Sequence, residues 1–228
     1  MIKINNVSFS YDTGHPVLKT LSLEVNKGES LGVIGPNGAG KTTLFHLLCG
    51  ILSPDSGEII INSKIIKSAE FNPEAGLVFQ NPDDQLFNIS VYEDIAFGPV
   101  NMGLNKDQVL KRVEQSMDTT GIKHLAERPP HHLSGGEKRM VAIASVIALE
   151  PELLIYDEPT SNLDMRGRRR VIDFINSSKN TNLIASHDME FILETCTRVI
   201  IIDEGGITAD GETSAIMGNR ELMMRHGL

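Results

Sequence analysis

The run Gly35-Pro36-Asn37-Gly38-Ala39-Gly40-Lys41-Thr42 has the residue types that hold phosphates. Its glycines let the main chain wrap closely around an anion, with successive N–H groups turned toward it. Lys41 has the reach for the β- and γ-phosphates of a nucleotide, and the Thr42 hydroxyl is a ligand that Mg²⁺ takes in such loops. The run lies between an apolar stretch and a helical pattern, so a helix N-terminus adds positive potential at the same point.

Two further segments carry candidate chemistry. Leu153-Leu154-Ile155-Tyr156 reads as a buried strand that delivers two acids, Asp157 and Glu158, at its carboxyl end. In open α/β sheets that edge is where ligands bind. Asp157 there would bind Mg²⁺ through water, and Glu158 would polarise an attacking water as general base. A plain strand exit would look the same in isolation, but not beside a phosphate loop. In Leu133-Ser134-Gly135-Gly136-Glu137, Ser134 is a suitable helix N-cap. The small residues leave N–H groups open at a positive helix end, where a phosphate could dock. An ordinary capped helix is the alternative for this segment alone.

The elements that must position these residues alternate. Ile2 to Phe9, Leu21 to Val25, Glu29 to Ile34, Glu58 to Ile61 and Gly76 to Phe79 read as strands, with a helix from Lys41 to Leu48. From Ser90 to Ala126 the pattern is helical with a break expected at Pro99, and a long helix runs from Gly136 to Leu149, stopped by Pro151. Leu183 to Ser186 and Arg198 to Asp203 are further strands, with helices at Arg166 to Ser177 and Asp188 to Thr195. Strands alternating with helices predict an α/β fold with a largely parallel sheet, and the helix-rich stretch reads as an insert on it. The charge run Arg168-Arg169-Arg170 reads as a solvated helix face.

The net charge of −9 weighs against a general nucleic-acid binder. No apolar run approaches the ~18 residues of a membrane span, so a role at a membrane would need another chain to cross it. The amino terminus alternates like a strand rather than a signal peptide. Cys49 and Cys196, without a CxxC, read as buried thiols in a reducing compartment.

The phosphate loop, LSGGE and YDEPTSNLD, in that order and spacing, resemble an ATP-binding-cassette ATPase over essentially the whole chain. The resemblance implies a single cassette over 1–228: a phosphate-loop NTPase core with an antiparallel amino-terminal β part, and a helical subdomain, 83–151, carrying the signature. It implies ATP and Mg²⁺ as ligands. It gives Tyr11 the role of stacking on adenine, adds Thr43 to the nucleotide-binding set, and makes Gln80 a sensor of the γ-phosphate and Mg²⁺. His187 would contact the γ-phosphate, and the loop ending at Asp164 would signal between subunits. The family pairs cassettes head to tail, so Ser134, Gly135, Gly136 and Glu137 would act on the partner's nucleotide. The partner could be a second copy or a related chain. Because Glu158 and the signature are intact, both sites of a homodimer would be competent.

Phe79-Gln80-Asn81-Pro82-Asp83-Asp84-Gln85-Leu86-Phe87, with Arg128-Pro129-Pro130-His131-His132 and the carboxyl-terminal Glu221 to Leu228, resemble the ATPase subunits of energy-coupling-factor importers. That implies a peripheral protein on the cytoplasmic face of the membrane. Membrane subunits would dock near Gln80–Phe87, where apolar Leu86 and Phe87 lie beside Asp83 and Asp84. The cargo of that branch is cobalt or nickel, with a vitamin such as biotin as the alternative. His131-His132 belongs to the branch pattern rather than to a metal site. Met140 and Met165 stand where Arg and Pro are usual. Many relatives continue past the position of Leu228, which weighs against a pair that persists without nucleotide. A soluble DNA-repair or translation cassette is disfavoured, since only about 53 residues separate Gln80 from Ser134, with no heptad run. A GTPase is disfavoured because Asn105-Lys106-Asp107-Gln108 lacks the final Asp of the base reader.

Overall fold

The structure is a computed structural model that describes residues 1–12, 14–66 and 72–228. In chain order it runs β1 (Ile2–Ser10), β2 (Pro16–Val25), β3 (Ser30–Ile34), α1 (Lys41–Leu48), β4 (Ser56–Ile61), β5 (Lys64–Ile65) and β6 (Ala75–Val78). It continues through α2 (Val91–Asn101), α3 (Lys106–Thr120), α4 (Gly135–Ile147), β7 (Leu153–Asp157), α5 (Met165–Ser177), β8 (Thr181–Ala185) and α6 (Met189–Thr195). The last elements are β9 (Arg198–Asp203), β10 (Gly206–Glu212), α7 (Thr213–Gly218) and α8 (Arg220–Arg225).

Two sheets form. The first has the antiparallel order β2-β1-β4-β5, and the second the order β10-β9-β3-β8-β7-β6. In the second, every pair from β9 to β6 is parallel, and β10 joins β9 as an antiparallel hairpin. The parallel strands are covered on both faces, which is why β3, β7, β8 and β9 are near-continuous apolar runs. β1 instead alternates buried and half-exposed positions.

The period-two geometry of the parallel strands divides their side chains between two cores. Leu31, Val33, Leu153, Ile155, Leu183 and Ile200 pack toward α1 and the antiparallel sheet. Leu154, Tyr156, Ile184, Val199 and Ile201 pack toward α2 to α6. The molecule is therefore three-layered: antiparallel sheet with α1, parallel sheet, helices. Because β3, β8, β7 and β6 are neighbours and point the same way, the loops after Ile34, Ala185, Asp157 and Val78 leave one sheet edge side by side.

The α/β architecture expected from the sequence is present, and several details differ. Pro99 does not break the helix; it is buried inside α2, and the chain turns later, at Met102 to Asn105. One lost hydrogen bond near a helix end is offset by packing of that face. Asn105 and Gln108 make a capping box at the start of α3, a structural use of the segment that looked like a base reader. β10 was not foreseen, because its half-exposed, glycine-bearing sequence has no apolar run. Cys196 is buried, but Cys49 is only half-buried.

Gly35 has φ 152°, and a Cβ there would lie 2.0 Å from the Ile202 carbonyl oxygen of β9. Because the obstacle is backbone in a central strand, Gly35→Ala should destabilise the fold by about 3 kcal/mol or more. A urea midpoint that falls with an unchanged slope would be the signature, and an unchanged midpoint would contradict the packing described.

Candidate active site

The phosphate loop leaves β3 and enters α1 through Gly40, a left-handed N-cap with φ 104°. A Cβ on Gly40 would approach Leu18 Cδ2 to 2.7 Å, so β2 seals the back of the loop. The first turn of α1 has no side-chain cap and no acidic residue, which leaves its N–H groups and positive end directed into the cleft. The Lys41 ammonium donates to the carbonyls of Gly35 (2.7 Å) and Pro36 (3.0 Å). Burial lowers its pKa, against the opposing pull of Glu158 and then Asp157. Thr42 Oγ1 donates to Asp157 Oδ2 at 3.0 Å, joining the helix start to the end of β7.

Glu158 follows at φ 48° and is 9% exposed. Its N–H donates to Ala185 O at 2.9 Å, which ties the turn to β8. Oε2 accepts from the His187 N–H (3.2 Å) and Ser186 Oγ (3.4 Å). Oε1 lies 3.5 Å from His187 Nε2 and is buried without a hydrogen-bond partner among the described residues. The residue borders the cleft, and its carboxylate keeps the spare acceptor capacity that a general base needs. Tyr11 stands exposed at the rim, with its hydroxyl 3.1 Å from Thr43 Oγ1 and its ring edge-on to Phe9.

Tyr11, Asn37, Gly38, Gly40, Lys41, Thr42, Thr43, Gln80, Asp157, Glu158 and His187 thus line one open cleft of ≈ 520 Å³. Gly35 contributes the carbonyl that holds Lys41, and Ala39 is turned inward and buried. The hydroxyl of Thr42, the carboxylate of Asp157 and the amide of Gln80 are hard oxygen donors sharing this cleft, a donor set that fits Mg²⁺.

The signature residues lie elsewhere. Ser134, Gly135, Gly136, Glu137 and Asp164 line a separate cleft of ≈ 370 Å³. Ser134 caps α4, and Glu137 Oε2 accepts from Ser134 N (2.8 Å) and Oγ (2.7 Å) in a capping box. These bonds hold the Glu137 carboxyl below its usual range. Asp164 caps α5 through the Gly167 N–H at 2.7 Å. The two helix starts meet at Gly136 and Gly167, where a Cβ on Gly136 would lie 3.2 Å from Gly167 Cα. None of these signature residues lines the Lys41 cleft.

Two arginines to which the sequence assigns no part in the site, Arg139 and Arg168, hold it from behind. Arg139 of α4 is fully buried and donates to the main-chain carbonyls of Phe79 and Gln80. Arg168 corrects the reading of its charge run as solvated. It donates to both oxygens of Asp188 (2.7 and 3.3 Å), next to His187, and to Glu194 at 2.9 Å. Arg169 is exposed but also reaches Glu194, and Arg170 is exposed. The spacing of Arg168 from its acids is long-range, so no local pattern could reveal it.

Beside Gln80 an apolar groove of ≈ 440 Å³ is lined by Leu77, Phe79, Phe87, Phe97 and Leu149. Phe87 is 64% exposed and edge-on to Phe97, whereas Leu86 is buried and belongs to the core, contrary to its reading as docking surface. Asp83 is engaged by Lys138 at 2.6 Å. Among the described residues no helix is long and apolar enough to cross a membrane.

The chain is similar to known proteins in both sequence and fold. The profile of a family described as ABC transporter matches residues 18–161. A Synechocystis protein provisionally described as an ABC transporter ATP-binding protein is 52% identical over all of this chain and 80% of its own length. The energy-coupling factor transporter ATP-binding protein EcfA of Methanothermobacter thermautotrophicus is 43% identical, covering all of this chain and 76% of that one. The solved structure of cbiO1 from Clostridium perfringens, described as part of the ABC transporter complex cbiONQ, superposes with a TM-score of 0.84. It is 36% identical and covers 98% of this chain and 93% of that one.

The Arg168 bond is the first cause holding the Asp188 carboxyl below its usual range. Its stabilisation is complete above the unfolded carboxylate pKa of about 3.9 and is lost as pH falls through the depressed native value. Arg168→Met should therefore cost about 1 kcal/mol at pH 7, given the partial exposure of the pair. The gap in urea midpoint between the two proteins should narrow below about pH 4. A gap independent of pH would assign the effect to packing instead.

Proposed function

The chain belongs to the ABC transporter family, and from that premise we propose that it is the ATP-hydrolysing subunit of an energy-coupling-factor importer. The apolar groove beside Gln80 carries the importer reading, since its exposed phenylalanines suit a helix laid in from a membrane subunit. The chain would sit peripherally at the cytoplasmic face. We take cobalt or nickel ions as the cargo, with a vitamin such as biotin as the alternative. In the described residues of the proposed insert, 83–151, the longest helix is α3 at 15 residues, which does not suit the coiled-coil arm of a DNA-repair cassette.

In this reading Tyr11 stacks on adenine, and Gly35 to Thr43, with Lys41, hold the phosphates. Thr42, Asp157 and Gln80 would hold Mg²⁺, which neutralises charge on the transferred phosphoryl group. Glu158 takes a proton from the attacking water as general base, and His187 orients the γ-phosphate. The separation of the Ser134 cleft from the Lys41 cleft favours a head-to-tail pair in which each cassette completes the other's site. Two competent sites are then related by a two-fold axis in a homodimer, or by a pseudo-two-fold axis with a related chain.

Glu158→Gln should lower ATP turnover by about 10²–10⁴-fold while ATP still binds. Lys41→Ala should weaken ATP binding itself. Unchanged turnover in the first variant would exclude Glu158 as the base. For the transport reading, the chain tagged after Leu228 should be recovered from gently solubilised membranes and its partners identified by mass spectrometry. A scaffold membrane protein with a small multi-span protein is expected, and the ligand held by the latter would name the cargo. Recovery of soluble partners alone would overturn the importer reading and leave the ATPase chemistry standing.

A further inference from the structure

The segment that follows β6 is bonded to α4 at four successive points on one helix face. Lys138 Nζ meets Asp83 Oδ1 at 2.6 Å, and Arg139 donates to the carbonyls of Phe79 and Gln80. Gln85 Nε2 donates to Ala142 O (2.8 Å) and Ser145 Oγ (2.9 Å), and Gln85 Oε1 accepts from the Phe79 N–H at 3.1 Å. Positions 138, 139, 142 and 145 are the spacing of a single helical stripe. Residues 79–85 are therefore fastened to the helix that begins at the signature.

Arg139 is the part of this fastening that bears on chemistry. In an extended chain successive carbonyls point to opposite sides, yet those of Phe79 and Gln80 both accept from one guanidinium. The backbone bends at Gln80, and the planar fork, with donors in fixed relation, suits that bend as a single ammonium cannot. The guanidinium is fully buried and its Nε makes no hydrogen bond to the described residues, so its placement is costly unless the two carbonyls are held. Burial lowers its pKa to about 10, which leaves it charged at neutral pH. On the other side of the same bend, Gln80 lines the Lys41 cleft.

We propose that Arg139 is a positioning residue for hydrolysis: by holding the Phe79 and Gln80 carbonyls to α4, it sets Gln80 in the nucleotide cleft and makes it move with the signature helix. The inference rests on the ATPase reading above. It follows that a displacement of α4, which carries Ser134 at its start, reaches Gln80 through the Arg139 fork, with the Gln85 and Asp83 contacts moving the rest of the segment alongside.

The test is a double-mutant cycle on ATP turnover with Arg139→Met, Gln80→Ala and the two combined, measured with the purified full chain. Arg139→Met should lower kcat on the order of 10–10²-fold, the scale of a small misplacement of a catalytic contact, and leave KM for ATP nearly unchanged. On top of Gln80→Ala it should add almost nothing, because the group it positions is already gone. Arg139→Lys, which keeps the charge and loses the fork, should fall between, and it carries the same cycle if the Met variant does not fold. Multiplicative losses in the cycle, or full turnover in Arg139→Met, would overturn the proposal and leave Arg139 a packing residue. Absence of turnover in the unmodified chain, with ATP binding unaffected by Lys41→Ala, would instead overturn the ATPase reading, and this one with it.

Discussion

Parallel pairing of β3, β8, β7 and β6 forces four strand ends onto one edge of one sheet, and the rest of the site depends on that constraint. Strands about 4.8 Å apart place the phosphate loop, the His187 turn, the Asp157–Glu158 pair and the Gln80 bend within reach of one small ligand. The chain positions of these residues span more than 150 residues, from Gly35 to His187, yet the sheet reduces the separation to adjacent lanes. Both faces must be buried for such a sheet to exist, and the two cores on either side provide that.

Around this edge the polar residues are braced either by a residue behind the cleft or by one another. Gln80 is backed by Arg139 and His187 by the neighbouring Asp188–Arg168 contact, while Thr42 and Asp157 brace each other directly. The backing residues come from helices on the far side of the sheet edge, α4 and α5. Groups whose geometry matters for chemistry are thus held by elements that can shift as bodies, rather than by their own flexible loops.

The phosphate loop, the two acids and the signature cap were legible in the sequence because each is local. Glycines, a lysine and a threonine in fixed register, an apolar run ending in acids, and Ser-Gly-Gly before a helix all act within a few residues. The parallel strands were legible for the same reason, as short apolar runs. What was missed is long-range or weakly apolar. Arg139 sits at a helix position where nothing local distinguishes a buried guanidinium from a solvated one, and its partners lie some 60 residues earlier. Leu86 and Phe87 are adjacent and equally apolar, yet one is core and the other surface, a choice made by the fold around them. Pro99 read as a break because proline lacks an N–H, but its position late in α2 limits that loss.

The contact between Gly136 and Gly167 joins the start of α4 to the start of α5 without side chains on either surface at that point. A joint of this kind behaves as a plain bearing. Interlocked side chains would give it a small set of discrete seats, separated by rotamer changes. Bare main chain gives it none, so nothing at this point locks the start of α4 to one angle against the start of α5.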